Sequence, residues 1–252
     1  MKVGEDVYPI LFSVGKVNVY THGLMIILGA IIGGLIIYYL AKKKQYETSF
    51  LFDTIVYSLL GGLIGARILY VILYYYQFAD LKEMLFIWYG GLVSYGGIIG
   101  GVLVAALVLR IRKQNIWQWF DIGIIGLMVG WAIGRIGCLL NGDSLGIVLN
   151  SRIAIWGRAP VPLFESIWAI LVAAFCYFLL KRKGKTFLPD GLIFWIGLGL
   201  YVFGRIGLDF LRDEEAMLWF LKTGQVGSLL LLIVMGLIIF LIVRKRRKNE
   251  GY

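Results

Sequence analysis

Seven long apolar runs alternate with short polar or basic joints along the 252 residues, at 21–41, 53–76, 91–109, 121–140, 162–180, 191–211 and 225–243. About 20 helical residues cross a hydrocarbon core roughly 30 Å thick. Within that core the backbone must bond to itself, so each run predicts a transmembrane helix. The expected fold is all-α: a polytopic membrane bundle of seven transmembrane helices, forming a single integral membrane domain over 1–252. Residues 1–20 are expected to form an extracytoplasmic arm, 21–243 the bundle with its outer loops, and 244–252 a basic cytoplasmic tail.

Composition agrees with the pattern, since 60% of residues are hydrophobic, which excludes an ordinary soluble domain. Charge then sets the orientation. Lys42, Lys43 and Lys44 follow the first run, and Arg110, Arg112 and Lys113 the third. Lys181, Arg182, Lys183 and Lys185 follow the fifth, and the tail carries Arg244, Lys245, Arg246, Arg247 and Lys248. These clusters hold fifteen of the 25 basic residues and fall on one side of seven spans, which places the N-terminus outside and the C-terminus inside. The net charge of +10 is thereby a topological signal in contact with anionic lipid, and nucleic acid is not an expected partner. Residues 1–20 lack the basic start and apolar run of a cleaved signal peptide. The two cysteines, Cys138 and Cys176, lie in spans and form no disulfide framework.

Glycine, at 33 residues, recurs every fourth position at Gly126, Gly130 and Gly134, at Gly61 and Gly65, and at Gly97 and Gly101. That spacing lets helix backbones approach closely in lipid. Outside, 212–224 predicts a short amphipathic helix on the membrane surface.

Three arginines interrupt the spans: Arg67, Arg135 and Arg205. Each costs at least ~2.5–3.5 kcal/mol to insert. Rise per residue places all three past mid-span toward the outside. Glu165 starts the fifth span at that level, and Asp209 lies one turn beyond Arg205 on the same face. Asn141, Asp143 and Gly146 follow at the outer end of the fourth span. Structural ion pairs, such as Arg205 with Asp209 or an arginine with Glu165, account for single members. Three arginines against two acids leave positive charge over, which suits a phosphate bound through paired hydrogen bonds. At this depth the phosphate would belong to an outer-leaflet phospholipid. Asp53 and Asp121, at the inner starts of their spans, read as caps on their own helices. His22 is the only histidine and the one side chain with an unperturbed pKa near neutrality.

These residues, in this order, resemble the phosphatidylglycerol:prolipoprotein diacylglyceryl transferase family over nearly the whole chain. Pro9 through Gly15 and then Gly23-Leu24-Met25 look like its opening. Gly65-Ala66-Arg67 with Tyr70 resembles its G-x-R-x-x-Y segment, and Gly90 through Gly97 its G-G-M-S-F-H-G-G segment. Residues 134–146 resemble its signature G-R-x-G-N-F-x-N-x-E-x-x-G. Arg158, Pro160, Leu163 and Glu165 match R-x-P-x-x-L-Y-E, while Arg205, Asp209 and Arg212 fit its late arginine–acid pair and Gly224-Gln225 the start of its last helix. The departures are Tyr95 for histidine, His22 for tyrosine, Cys138 for the signature's first asparagine and Asp143 for its glutamate.

The resemblance implies transfer of diacylglyceryl from phosphatidylglycerol to the lipobox cysteine of prolipoprotein signal peptides, with no metal or cofactor. It implies a bacterial cytoplasmic membrane and an active site toward the outer leaflet. Arg135 and Arg205 would bind the phosphate or leaving group, oriented by Asp209 and Glu165. Arg67, Asn141, Asp143 and Gly146 would complete the substrate site. The His22/Tyr95 pattern is a reciprocal exchange of the family's tyrosine and histidine; if positions 22 and 95 face the same cavity, the pair survives with its members swapped and His22 becomes the candidate general base. Cys138 invites a second idea, a covalent nucleophile carrying the lipid. A transporter or flippase for an anionic amphiphile, or a non-catalytic lipid binder, is the rival class. Transporters often show inverted repeats and midplane helix breaks; neither is evident, and the charges are displaced outward.

Overall fold

A computed structural model describes residues 10–14, 17–78, 80–85, 91–183, 188–213, 216–218, 221–222, 225, 227–229, 231–233 and 235–237. Six helices dominate: α1 (Thr21–Lys43), α2 (Leu51–Leu73), α3 (Ser94–Ile111), α4 (Ile116–Leu140), α5 (Val161–Arg182) and α6 (Leu192–Asp209). Five of these, all but α3, are long and apolar enough to cross a membrane. Gly96–Ile111 and Gly227–Leu237 are shorter apolar helices. The chain is thus a largely helical, multi-pass membrane protein. The expected basic tail lies outside the described residues.

Two small antiparallel hairpins add to the expected helices. β1 (Ile10–Val14) pairs with β2 (Val17–Tyr20), which runs straight into α1. β3 (Ala216–Leu218) pairs with β4 (Leu221–Lys222). The second corrects the expected surface helix over 212–224. So short a segment gains too few bonds to offset helix nucleation, whereas pairing Leu218 with Leu221 satisfies the backbone locally.

Contacts divide the chain into two compact units. Residues 41–119 form one. Within it α2 and α3 pack along a glycine seam, where a Cβ on Gly100 would meet the Gly61 carbonyl and one on Gly65 that of Gly96. Asp53, half exposed, stands 3.9 Å from Arg112, so it is a surface pair and the helix N-cap, Phe50, makes no side-chain cap bond.

Residues 1–40 and 120–252 form the other unit. Here α1 and α4 touch backbone to backbone: a Cβ on Gly29 would lie 2.5 Å from the Gly130 carbonyl oxygen, and one on Gly33 2.5 Å from that of Gly126. The spacing-four glycines therefore do pack helices, although a Cβ at Gly134 would meet nothing within 4 Å.

Asp121 departs from expectation. It is buried inside α4 and caps a different helix, accepting the N–H groups of Gly191 and Phe194 at the start of α6, both at 3.0 Å. Lys183 bonds both Asp121 and Asp190 at 2.6 Å. Burial of the ammonium pulls its pKa down, but the hydrogen bonds to these carboxylates outweigh it and hold it above the ordinary lysine value. A raised folded-state pKa contributes stability below the unfolded lysine value, lost only as pH rises through the raised one. The cluster is accordingly intact at neutral pH. Asp121→Ala orphans two helix N–H groups and leaves Lys183 with Asp190 as its remaining carboxylate in the cluster, and is expected to cost about 1–3 kcal/mol, read as a lowered thermal midpoint in detergent.

Candidate functional site

The second unit brings four helix ends together. Glu165 lies four residues past the start of α5, Arg135 five before the end of α4, Arg205 four before the end of α6, and His22 in the first turn of α1. At 1.5 Å per residue these positions lie within about one to one and a half turns of their helix ends. The up-and-down course of the chain makes those ends coincide.

Glu165 is the hub. It is 1% exposed, and three guanidiniums converge on its carboxylate. Arg135 Nε lies 2.6 Å from Oε2, Arg212 Nη2 2.7 Å from Oε1, and Arg205 Nη1 3.7 Å from Oε1. Asp209, equally buried, is shared by Arg212 Nε at 2.9 Å and Arg205 Nε at 3.8 Å. Three guanidiniums against two carboxylates leave one net positive charge. Guanidinium suits this work because its fork reaches a carboxylate and still has donors left. Burial alone would pull the Arg212 pKa down, but Glu165 more than compensates and holds it above the usual arginine value, so Arg212 stays charged. Arg135 also lies over the Trp131 ring, 5.0 Å from its centroid, and Trp131 meets the buried Tyr201 edge-on at 5.8 Å.

On the other flank of Arg135, its Nη1 reaches Cys138 Sγ at 3.9 Å, and that sulfur lies 3.6 Å from His22 Nδ1. The chain then reverses sharply through Gly142 and Ser144, both at positive φ (75° and 59°). The turn folds Asp143 back onto the Asn141 amide, which donates to its carboxylate. Gly146 pairs with Arg212 across a β-bridge, and its N–H donates to Ala159 O at 2.8 Å. A Cβ there would collide with the Leu211 carbonyl, so Gly146 admits the close approach that seats the 141–160 loop on the end of α6. Arg158 ties the same loop down through Gly146 O and Asp213.

Two expected members stand in the other unit. Arg67, 7% exposed, donates to the carbonyls of Met84, Glu83 and Gly91 at 2.8, 2.8 and 3.0 Å. Its guanidinium also packs on Tyr70 and Phe78. It thereby fastens the α2–α3 connection. Tyr95 is the second residue of α3, and its side chain lies outside what the structure describes.

Sequence reasoning underweighted Arg212 and missed Tyr201. Arg212 entered only through the likeness to the late arginine–acid pair and not as a member of the charged cluster, although its position three residues after Asp209 was an available signal. Between α5 and α6 runs an apolar groove of about 610 Å³, lined by Ile167, Trp168, Leu171, Phe203, Gly204 and Gly207 among others.

The chain is similar to known proteins along nearly its whole length. Residues 9–242 match the family model described as prolipoprotein diacylglyceryl transferase. A Trichormus variabilis protein named phosphatidylglycerol–prolipoprotein diacylglyceryl transferase is 34% identical, over 94% of this chain and 91% of its own length. A protein of the same name from Clostridium botulinum is 30% identical, over 95% of this chain and 99% of its own.

Proposed function

The chain belongs to the prolipoprotein diacylglyceryl transferase family, and on that premise we propose that it transfers diacylglyceryl from phosphatidylglycerol to the lipobox cysteine of prolipoprotein signal peptides. The observation that carries the mechanism is the surplus of one positive charge in the cluster of partly buried Arg135 and Arg205 and buried Arg212 around the buried Glu165 and Asp209.

The reaction is a displacement at carbon. The acceptor thiol, with pKa ~8.5 when free, gives up its proton. Its sulfur attacks the glyceryl CH₂ and forms a C–S bond, the C–O bond to phosphate breaks, and the electron pair leaves on glycerol phosphate. The phosphodiester begins with one negative charge and the leaving monoester gains a second. Donors fixed in advance at that developing charge are the largest lever available to such a site. Arg135 and Arg205 are the proposed donors. Glu165 and Asp209 hold them, and Arg212 bonds both of those carboxylates in turn, so little reorganisation accompanies the reaction. Asn141, Asp143 and Gly146 would border the headgroup, and the apolar groove between α5 and α6 suits acyl chains. Arg67 and Tyr95 enter the proposed site from the sequence likeness alone. His22 is the proposed proton acceptor. A covalent lipid carrier at Cys138 is chemically disfavoured: a thioether to the enzyme would leave no good leaving group for a second displacement.

The helix ends bearing the cluster are those the basic loops assign to the outside, so the reaction is read as occurring at the outer leaflet of the bacterial cytoplasmic membrane. The test is incubation of the purified protein with a labelled lipobox peptide in phosphatidylglycerol vesicles. A diacylglyceryl thioether and released glycerol phosphate are expected. Phospholipid movement across the bilayer without thioether would favour a transporter instead, and binding without either a non-catalytic relative.

A further inference from the structure

The single histidine of this chain meets a buried thiol 116 residues away. The contact is built into the helix packing. At Gly137 a Cβ would lie 2.7 Å from Met25 Cβ and 3.5 Å from His22 Cα, so the α1–α4 approach that seats His22 against Cys138 depends on that glycine. Cys138 Sγ then sits between two nitrogens, Arg135 Nη1 at 3.9 Å and His22 Nδ1 at 3.6 Å. Guanidinium can only donate, so the sulfur is the acceptor on that side. Arg135 is itself held by Glu165 at 2.6 Å and by the Trp131 ring. The imidazole is thus anchored through one nitrogen to a chain of contacts running Cys138, Arg135, Glu165. When one ring nitrogen of a histidine is fixed by a partner, that partner decides what the other nitrogen does.

We propose that Cys138 is a positioning residue for His22: its sulfur, aligned by Arg135, accepts the Nδ1–H of the imidazole and thereby presents Nε2 as the proton acceptor for the substrate thiol. This rests on the transfer reading above. In the step, the substrate S–H proton passes to Nε2. The imidazolium so formed keeps its Nδ1–H on the Cys138 sulfur, which stabilises the new positive charge beside Arg135. When the thioether has formed, the proton leaves from Nε2 to solvent. The charged and titratable groups facing the pair are Arg135 from α4, Glu165 from α5 and Asp143 from the loop after α4.

Two measurements test the arrangement. The first is the pH profile of kcat/KM for thioether formation in Cys138→Ala, Cys138→Ser, His22→Ala and the double variant. Cys138→Ala is expected to lower kcat/KM about 10–100-fold, the range for lost orienting partners, and to move the acidic limb. Cys138→Ser, which retains an acceptor, should recover much of the loss. The double variant should be no worse than His22→Ala, as for residues acting as one unit. An unmoved limb in Cys138→Ala, or additive losses, overturns the proposal. The second measurement is free of catalysis: labelling of Cys138 by methyl methanethiosulfonate against pH, read on the Cys138 peptide by mass spectrometry. His22→Ala is expected to shift its midpoint, and an unchanged midpoint overturns the pairing alone. Absence of thioether product from the unmodified protein overturns the transfer reading instead, and with it the catalytic part of Cys138.

Discussion

Arg135→Ala is expected to reduce thioether formation by about 10²–10³-fold, the usual loss on removing one fixed donor from a developing oxyanion. Its position explains why the effect should be large. Nε is committed to Glu165 at 2.6 Å, which fixes the guanidinium plane, while Nη1 extends toward the Cys138–His22 flank. One side chain therefore joins the carboxylate hub to the proposed proton acceptor. Arg135→Lys keeps the charge but has one nitrogen where two directions must be served. It is expected to recover little activity. The measurement is kcat and KM for a lipobox peptide in phosphatidylglycerol vesicles, with the thermal midpoint as a control for folding. A drop confined to thermal stability, with kcat intact, would assign Arg135 to structure alone.

Glu165→Ala should have the second largest effect, and of a different kind. Glu165 is the shared partner of three guanidiniums, and its removal leaves Asp209 against all of them. Breaking a buried ionic network by deleting one member typically costs about 3–5 kcal/mol, because the remaining charge is buried without compensation. A lowered thermal midpoint in detergent is expected together with lost transfer, since Arg135 and Arg212 lose their 2.6 and 2.7 Å contacts. Glu165→Gln preserves shape and one acceptor but not the charge, and should fall between. Equal stability of Glu165→Ala and the unmodified protein would show that the cluster is hydrated rather than buried.

Much of the fold was legible in the chain because its signal is local. A run long and apolar enough to span must be helical in lipid, and the ends of α1, α4, α5 and α6 fall within a few residues of the apolar boundaries. Spacing-four glycines forecast close helix seams, and Gly126 with Gly130, and Gly61 with Gly65, line them. Local reasoning failed where a partner came from elsewhere. Asp121 was read as the cap of its own helix, the nearest source of free N–H groups, yet it caps α6, 70 residues on. The 212–224 segment has helical composition but lacks the length to sustain a helix.

The candidate site divides in the same way. Insertion cost alone singled out Arg67, Arg135 and Arg205, and the surplus of cations over acids pointed to an anion. Sequence by itself thus determined the class of the protein, the helices and the residue types that meet phosphate chemistry, because hydrophobicity and charge act position by position. Only the tertiary structure decided who pairs with whom. It joined Arg135, Arg205 and Arg212 on Glu165, turned Arg67 onto the carbonyls of its own unit, and set His22 against Cys138. Those partners are 16 to 116 residues apart along the chain, and it is tertiary packing, not any local pattern, that brings them within hydrogen-bonding range.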